Sequence, residues 1–256
     1  MLQYYSIGSY TINMYNLINY ISAAVLFIYV FSHIREFSAL LQSLDGRKGS
    51  LAKGGALLFL IYTVFSILFF FLNTQFGNWF TNGNKNYFGT LLAWFISFAI
   101  VPVIFKISPY RTLDLFSAGL PLQLMIAKIA CSCWGCCWGK QMDNSFYYNH
   151  NTLRYEFPVQ IVEAVVAFLL FIYLIYKKKR MWNPQKEGSI FPLYLILYSI
   201  SRFITEFLRS DLPNVWGKLD AYQVLSIIFM LFGVLLLCLV YKCDHRRLAG
   251  RPVRDH

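Results

Sequence analysis

Five Lys, Arg, Asp and Glu residues of this chain stand within apolar runs, where a charge is costly: Lys128, Asp114, Glu163, Arg202 and Glu206. Near the middle of a bilayer such a group costs about 2.5–3.5 kcal/mol on insertion scales, so it marks a site more often than a scaffold. Arg202 and Glu206 are four residues apart, a spacing that puts both on one helix face, where they can pair and point inward. Glu163 lies in the preceding run, near Gln160 and five residues after Pro158. A guanidinium has five donors to divide between a carboxylate and a phosphate. An inward Arg among carboxylates therefore makes a polar cavity suited to an anionic headgroup. Plainer readings stand beside this one: an ion pair that only locks helices, a Lys128 that snorkels to the surface, and an Asp114 that faces the polar first turn of its own helix. A lipid-modifying enzyme, a transporter and a proton-coupled carrier all fit at this level.

A second group is Cys131-Ser-Cys133-Trp-Gly-Cys136-Cys137-Trp-Gly139, four of the chain's six cysteines. Cys133 and Cys136 form a C-x-x-C, which raises zinc, redox chemistry and a disulfide. Zinc needs a second pair of ligands, and the nearby imidazole, His150, stands alone, so no metal and no cofactor is expected. A disulfide is chemically accessible outside a membrane. Packing of small polarizable side chains beside Gly135 and Gly139 is the plainest reading.

These residues have to be positioned by helices. The chain is 57 % hydrophobic and 14 % charged, too few charges to cover a soluble domain of 256 residues. Apolar runs at about 15–33, 55–73, 88–105, 113–131, 158–176, 189–208 and 221–241 are close to the length that crosses a bilayer. None alternates as a barrel strand does, so each is expected to be helical. The expected fold is all-α: one polytopic membrane domain over 1–256 with seven transmembrane helices.

The net charge of +11 is informative through its distribution. Segments 34–54, 106–112, 177–188 and the tail from Lys242 carry sixteen Lys and Arg, whereas the alternate segments carry Lys85, Lys140, Arg154, Arg209 and Lys218. By the positive-inside rule the richer side is cytoplasmic, which puts the N-terminus outside and the basic tail 242–256 inside. The cations are thus a topology and lipid-surface signal, and nucleic acid is not an expected partner. The first residues lack the basic start and cleavage site of a signal peptide and read as a short external segment.

Four blocks carry a resemblance to a known family: Tyr5-Ser-Ile-Gly8 with Ile12-Asn-Met-Tyr15; Asp114-Leu-Phe-Ser-Ala-Gly119 followed by Ala127-Lys-Ile-Ala-Cys-Ser-Cys-Trp-Gly-Cys-Cys-Trp-Gly139; Tyr155-Glu-Phe-Pro-Val-Gln-Ile-Val-Glu163; and Tyr198-Ser-Ile-Ser-Arg-Phe-Ile-Thr-Glu-Phe-Leu-Arg209. In order and spacing they resemble the prolipoprotein diacylglyceryl transferase family. That family has a seven-span topology with the N-terminus outside, the one that charge alone suggests here. The resemblance implies a bacterial plasma-membrane enzyme that moves diacylglyceryl from phosphatidylglycerol to the lipobox cysteine thiol of a preprolipoprotein, forming a thioether and releasing glycerol phosphate. Its expected partners are phosphatidylglycerol, the signal peptide with its lipobox, and membrane lipids.

The resemblance also assigns roles. Arg202 would hold the phosphate and Glu206 would orient it. Lys128 stands at the family's signature Arg and Glu163 at its buried Glu. Tyr15, Gln160, Gly135, Gly139 and Tyr87 fall where substrate contacts are expected. Departures are local: Lys128 replaces a bidentate Arg, Cys131 and Cys136 replace an Asn and a Glu, and Tyr87-Phe88-Gly89 stands for His-Gly-Gly, whose His is a proposed base. Two other readings follow from those departures and from the buried charges. One is a non-catalytic relative that binds phosphatidylglycerol or signal peptides; the other is a small transporter.

Overall fold

Backbone groups in lipid have no water to bond, and a run of Leu, Ile, Phe and Val meets that constraint by closing every N–H on the carbonyl four residues back. The computed structural model describes residues 4–7, 10–33, 60–61, 63–64, 67–68, 87–104, 109–142, 148–149, 153–181, 188–209, 214–216 and 219–249. Six helices are defined among them: α1 Met14–Ser32, α2 Tyr87–Ile104, α3 Pro109–Trp134, α4 Val159–Met181, α5 Ile190–Glu206 and α6 Ala221–Ala249. Each coincides with an expected apolar run. The expected run 55–73 lies mostly outside the described residues, with helical backbone at 60–61, 63–64 and 67–68. Three helices hold stretches long and apolar enough to cross a membrane, at Thr112–Trp134, Val159–Lys179 and Ala221–Lys242, and shorter apolar stretches lie at Leu17–Val30 and Leu92–Ile104.

Three short antiparallel hairpins cap helix ends: β1 Tyr4–Ile7 with β2 Tyr10–Asn13, β3 Tyr148–Asn149 with β4 Arg154–Tyr155, and β5 Asn214–Trp216 with β6 Leu219–Asp220. Their registers set Ile7 opposite Tyr10, Tyr148 opposite Tyr155 and Trp216 opposite Leu219. The hydropathy pattern, dominated by long apolar runs, does not anticipate them.

Helix α3 is central, packing on α1, α2, α4 and α5, while α6 packs on α5. Pro109 opens α3 at a position that needs no intrahelical donor. Aromatic rings fill the α2–α3 contact, with Phe116 stacked on Phe98 and 4.5 Å from Trp94. Phe95 of α2 stacks on Phe191 of α5. Leu169, Ile172, Leu231 and Leu235 remain exposed on α4 and α6, the arrangement expected of helix faces turned to lipid.

Asp114 does something other than facing the first turn of its own helix. Its Oδ2 accepts the Gly188 N–H at 2.7 Å, and its Oδ1 accepts those of Ile190 and Phe191 at 2.9 Å each. Ser189 at the N-cap of α5 supplies no side-chain cap. A buried carboxylate of α3 therefore satisfies the orphan donors of another helix and meets the positive end of its dipole, which pins α5 against α3 at one level.

Helix α3 also runs past its expected end. Cys131 to Trp134 form its last turn instead of opening a polar loop. The chain then reverses at Gly135, whose φ of +78° is left-handed and strains a side chain but not glycine. Beyond it, the Gly139 N–H donates to the Phe157 carbonyl at 2.7 Å and the Lys140 N–H to the Leu208 carbonyl at 2.8 Å. The first hydrogen bond closes the α3–α4 connection on itself just before α4, and the second ties it to the end of α5. A Cβ on Gly139 would lie 2.5 Å from the Leu208 oxygen and 3.0 Å from the Phe157 oxygen, so only glycine fits the junction.

Candidate active site

Where α3, α4 and α5 meet, the expected charges come together. Glu163 of α4 is the focus. Its Oε2 lies 2.5 Å from Lys128 Nζ and 3.9 Å from Arg209, and its Oε1 pairs with Arg202. Arg202 also reaches Glu206 at 2.7 Å, four residues on, and Arg209 Nε lies 3.6 Å from the same carboxylate. Arg202 is 7 % exposed, Glu163 7 % and Glu206 3 %, so water contributes little to holding these charges. Removing any one partner would strand the others in a low-dielectric interior.

Each side chain is placed by simple geometry. The four-residue step puts Arg202 and Glu206 on one face of α5, and the face is turned inward because Tyr194, Leu195, Tyr198 and Ser199 beside it are buried. Thr205, on the same face, donates from its hydroxyl to Glu163 Oε1 at 3.4 Å. The guanidinium of Arg202 lies over the ring of Tyr222 on α6, 4.7 Å from its centroid, a cation–π contact that orients the planar fork. Lys128, Glu163, Arg202 and Thr205 line a cavity of about 20 Å³ with Leu124 and Tyr198, room for about one water.

Gln160 is one turn from Glu163 on α4 and has no exposed surface. Neither its amide nitrogen nor its amide oxygen has a hydrogen-bond partner. A buried amide with all its bonds unmade is costly, and such groups are normally satisfied by a ligand or water.

The expected site residues thus divide. Lys128, Glu163, Arg202 and Glu206 converge, with Gln160 one turn away. Gly135 and Gly139 shape the chain reversal and the junction beside them. Tyr15 and Tyr87 lie in the first turns of α1 and α2, and their side chains, like His150, fall outside the described residues. Sequence reasoning gave no site role to three members: Arg209, read as a cation of the sparser side and as the last residue of the fourth block, and Thr205 and Tyr222. For Arg209 a signal existed, since it follows Arg202 by seven residues and so shares its helix face.

Next to the ion cluster sit the thiols. The sulfurs of Cys131, Cys136 and Cys137 all lie within 4.8 Å of one another, and all three are free. The Cys137 thiol is held below its ordinary range by hydrogen bonds from Cys131 and Cys136, with the charges of Lys128 and Arg209 acting in the same sense against the upward push of burial. The two cations that pair with Glu163 thus also act electrostatically on Cys137.

Fold and site together define a helical membrane protein with a buried polyionic centre between three packed helices. The chain belongs to the prolipoprotein diacylglyceryl transferase family, whose profile matches residues 3–239. It is similar to the phosphatidylglycerol–prolipoprotein diacylglyceryl transferase 2 of Clostridium perfringens, 30 % identical over 170 residues that make up 64 % of each chain. The corresponding transferase of Clostridium tetani is 30 % identical over 48 % of this chain and 51 % of its own, and that of Clostridium novyi 39 % identical over 37 % and 32 %. The chain spans at most 64 % of the length of these curated relatives.

Proposed function

We propose that this protein transfers the diacylglyceryl group of phosphatidylglycerol to the cysteine thiol of a lipobox peptide. The observation that carries the reading is the convergence of three cations, Lys128, Arg202 and Arg209, on one buried carboxylate at the edge of a cavity. In this reading Arg202 exchanges part of its carboxylate pairing for the lipid phosphate. Lys128 takes up charge as the phosphate departs, which is the largest single service such a site can give. Glu163 and Glu206 hold the two cations apart and aimed while the cavity is empty, and Tyr222 keeps the guanidinium plane in one orientation. Gln160 supplies amide bonds to the glycerol hydroxyls or ester carbonyls. The names of the relatives, which specify phosphatidylglycerol and prolipoprotein, support the same substrates.

The finer topology belongs to this proposal. Seven spans, an external N-terminus and the cytoplasmic basic tail 242–256 put the ion cluster toward the outer leaflet of a bacterial plasma membrane. A lipoprotein precursor would reach it there from the external face.

The test is complementation. In bacteria depleted of their own transferase, this protein should restore lipid attachment to a reporter lipoprotein, read as a mass gain on its lipobox cysteine. Arg202→Ala should not, although it accumulates in the membrane. Wild-type protein that accumulates, binds phosphatidylglycerol and attaches no lipid would mark a binding relative and overturn the reading.

A further inference from the structure

Three sulfurs come together that the spacing in sequence pairs differently. The C-x-x-C pattern suggests Cys133 with Cys136, but Cys133 sits on the last turn of α3 outside the cluster. The chain instead turns through left-handed residues at Gly135 and at Cys137, whose φ is +63°. A non-glycine residue in that region is strained and is retained where the surroundings demand it. The reversal brings the Cys136 N–H to the Cys131 carbonyl at 3.1 Å, with the Cys136 sulfur 3.7 Å from the same oxygen. The three sulfurs end within 4.8 Å of one another. A zinc ion bonded to thiolates at about 2.3 Å requires sulfurs about 4 Å apart, so a small inward adjustment suffices. Oxidation of any two would leave the third thiol without a role, whereas one ion uses all three.

The surroundings fit an ion as well. Three thiolates on a divalent ion carry one net negative charge, and two cations lie nearby: Lys128 one turn before Cys131 on α3, and Arg209 bridged by backbone to Gly139, two residues after Cys137. Both also pair with Glu163, so the same two cations border the ion cluster.

We infer that Cys131, Cys136 and Cys137 hold a zinc ion with one coordination position open, and that this position takes the thiol of the acceptor peptide. The second half of the inference rests on the transferase reading above. On coordination the peptide thiol releases its proton to water and becomes a zinc-bound thiolate. Its sulfur electron pair forms the C–S bond to the diacylglyceryl carbon as that carbon's bond to the phosphate oxygen breaks. The electron pair of the broken bond leaves with glycerol phosphate, the ion remains divalent and nothing is oxidised or reduced. An open thiolate-zinc position supplies the thiol activation that transfer requires, since the thiolate is the nucleophile and a bound zinc ion favours the deprotonated ligand at neutral pH.

The experiment uses the full chain purified in detergent under reducing conditions and stripped with a chelator. Titration with Co²⁺ should give thiolate charge-transfer absorption that saturates at about one ion per chain and is displaced by Zn²⁺. Cys131→Ser, Cys136→Ser and Cys137→Ser should each lose the saturable band, and Cys133→Ser should keep it. A lipobox peptide should add intensity to the band, and the same peptide with serine for cysteine should not. The stripped protein should transfer lipid about a hundredfold more slowly than the zinc-loaded one. Absence of a saturable band, a band unchanged in the three variants, a spectrum indifferent to the cysteine peptide, or equal rates with and without zinc would each overturn this inference and leave the transferase reading standing. Zinc binding with peptide coordination but no lipid transfer would overturn the transferase reading instead.

Discussion

At the scale of single residues Glu163 is the hub, holding Lys128, Arg202 and Arg209 from one position on α4. Glu163→Gln keeps the shape and removes the charge, leaving Lys128 with no described carboxylate partner. We expect a loss of about 3–5 kcal/mol, the range for breaking a buried pair, measured by thermal unfolding in detergent. A variant as stable as wild type would mean that the charges are screened by water. Arg202→Lys should retain the positive charge but not the bidentate grip, and transfer should fall about a hundredfold with little change in stability. At this scale much was legible. The four-residue step from Arg202 to Glu206 and their apolar surroundings point to the ion pair that the structure shows. Arg209 follows the same face yet sits just beyond the helix end, where a cation usually means only solvent or lipid headgroups. Tyr222 comes from α6, and no local spacing announces a contact between helices.

At the scale of elements, Asp114 and Gly139 hold the frame around the site. Asp114→Ala removes the acceptor for the N–H groups of Gly188, Ile190 and Phe191. The variant should lose about 1–3 kcal/mol and show faster amide exchange at the start of α5, with α6 protected as before. Uniform exchange across both helices would show that the cap is not local. Gly139→Ala drives a methyl to 2.5 Å from the Leu208 carbonyl. It should separate the α3–α4 connection from the end of α5, destabilising the fold by about 1–3 kcal/mol. The helices themselves were legible because an apolar run of bilayer length has one solution in lipid. The cap and the junction were not, since each joins backbone to residues distant in sequence. The same holds for the thiols: their grouping depends on two left-handed residues, only one of which is a glycine.

For the molecule as a whole, membrane crossing and charge asymmetry organise the rest. The described helices include three with bilayer-length apolar stretches, and the proposed orientation places the tail from Lys242 in the cytoplasm. A fluorescent protein that matures only in the cytoplasm, fused after His256, should be bright; a dark fusion protein present in the membrane would reverse the orientation and put the site on the wrong face for a lipoprotein precursor. The central claim, that the buried ion cluster serves transfer of diacylglyceryl to a thiol, is tested most directly by one measurement. Purified protein in micelles is given labelled phosphatidylglycerol and a lipobox peptide, and release of labelled glycerol phosphate is followed beside the mass of the peptide. The account predicts release in step with a thioether-linked mass gain on the cysteine, both lost in Arg202→Ala. Lipid bound at the site with no glycerol phosphate released and no change in peptide mass would contradict it.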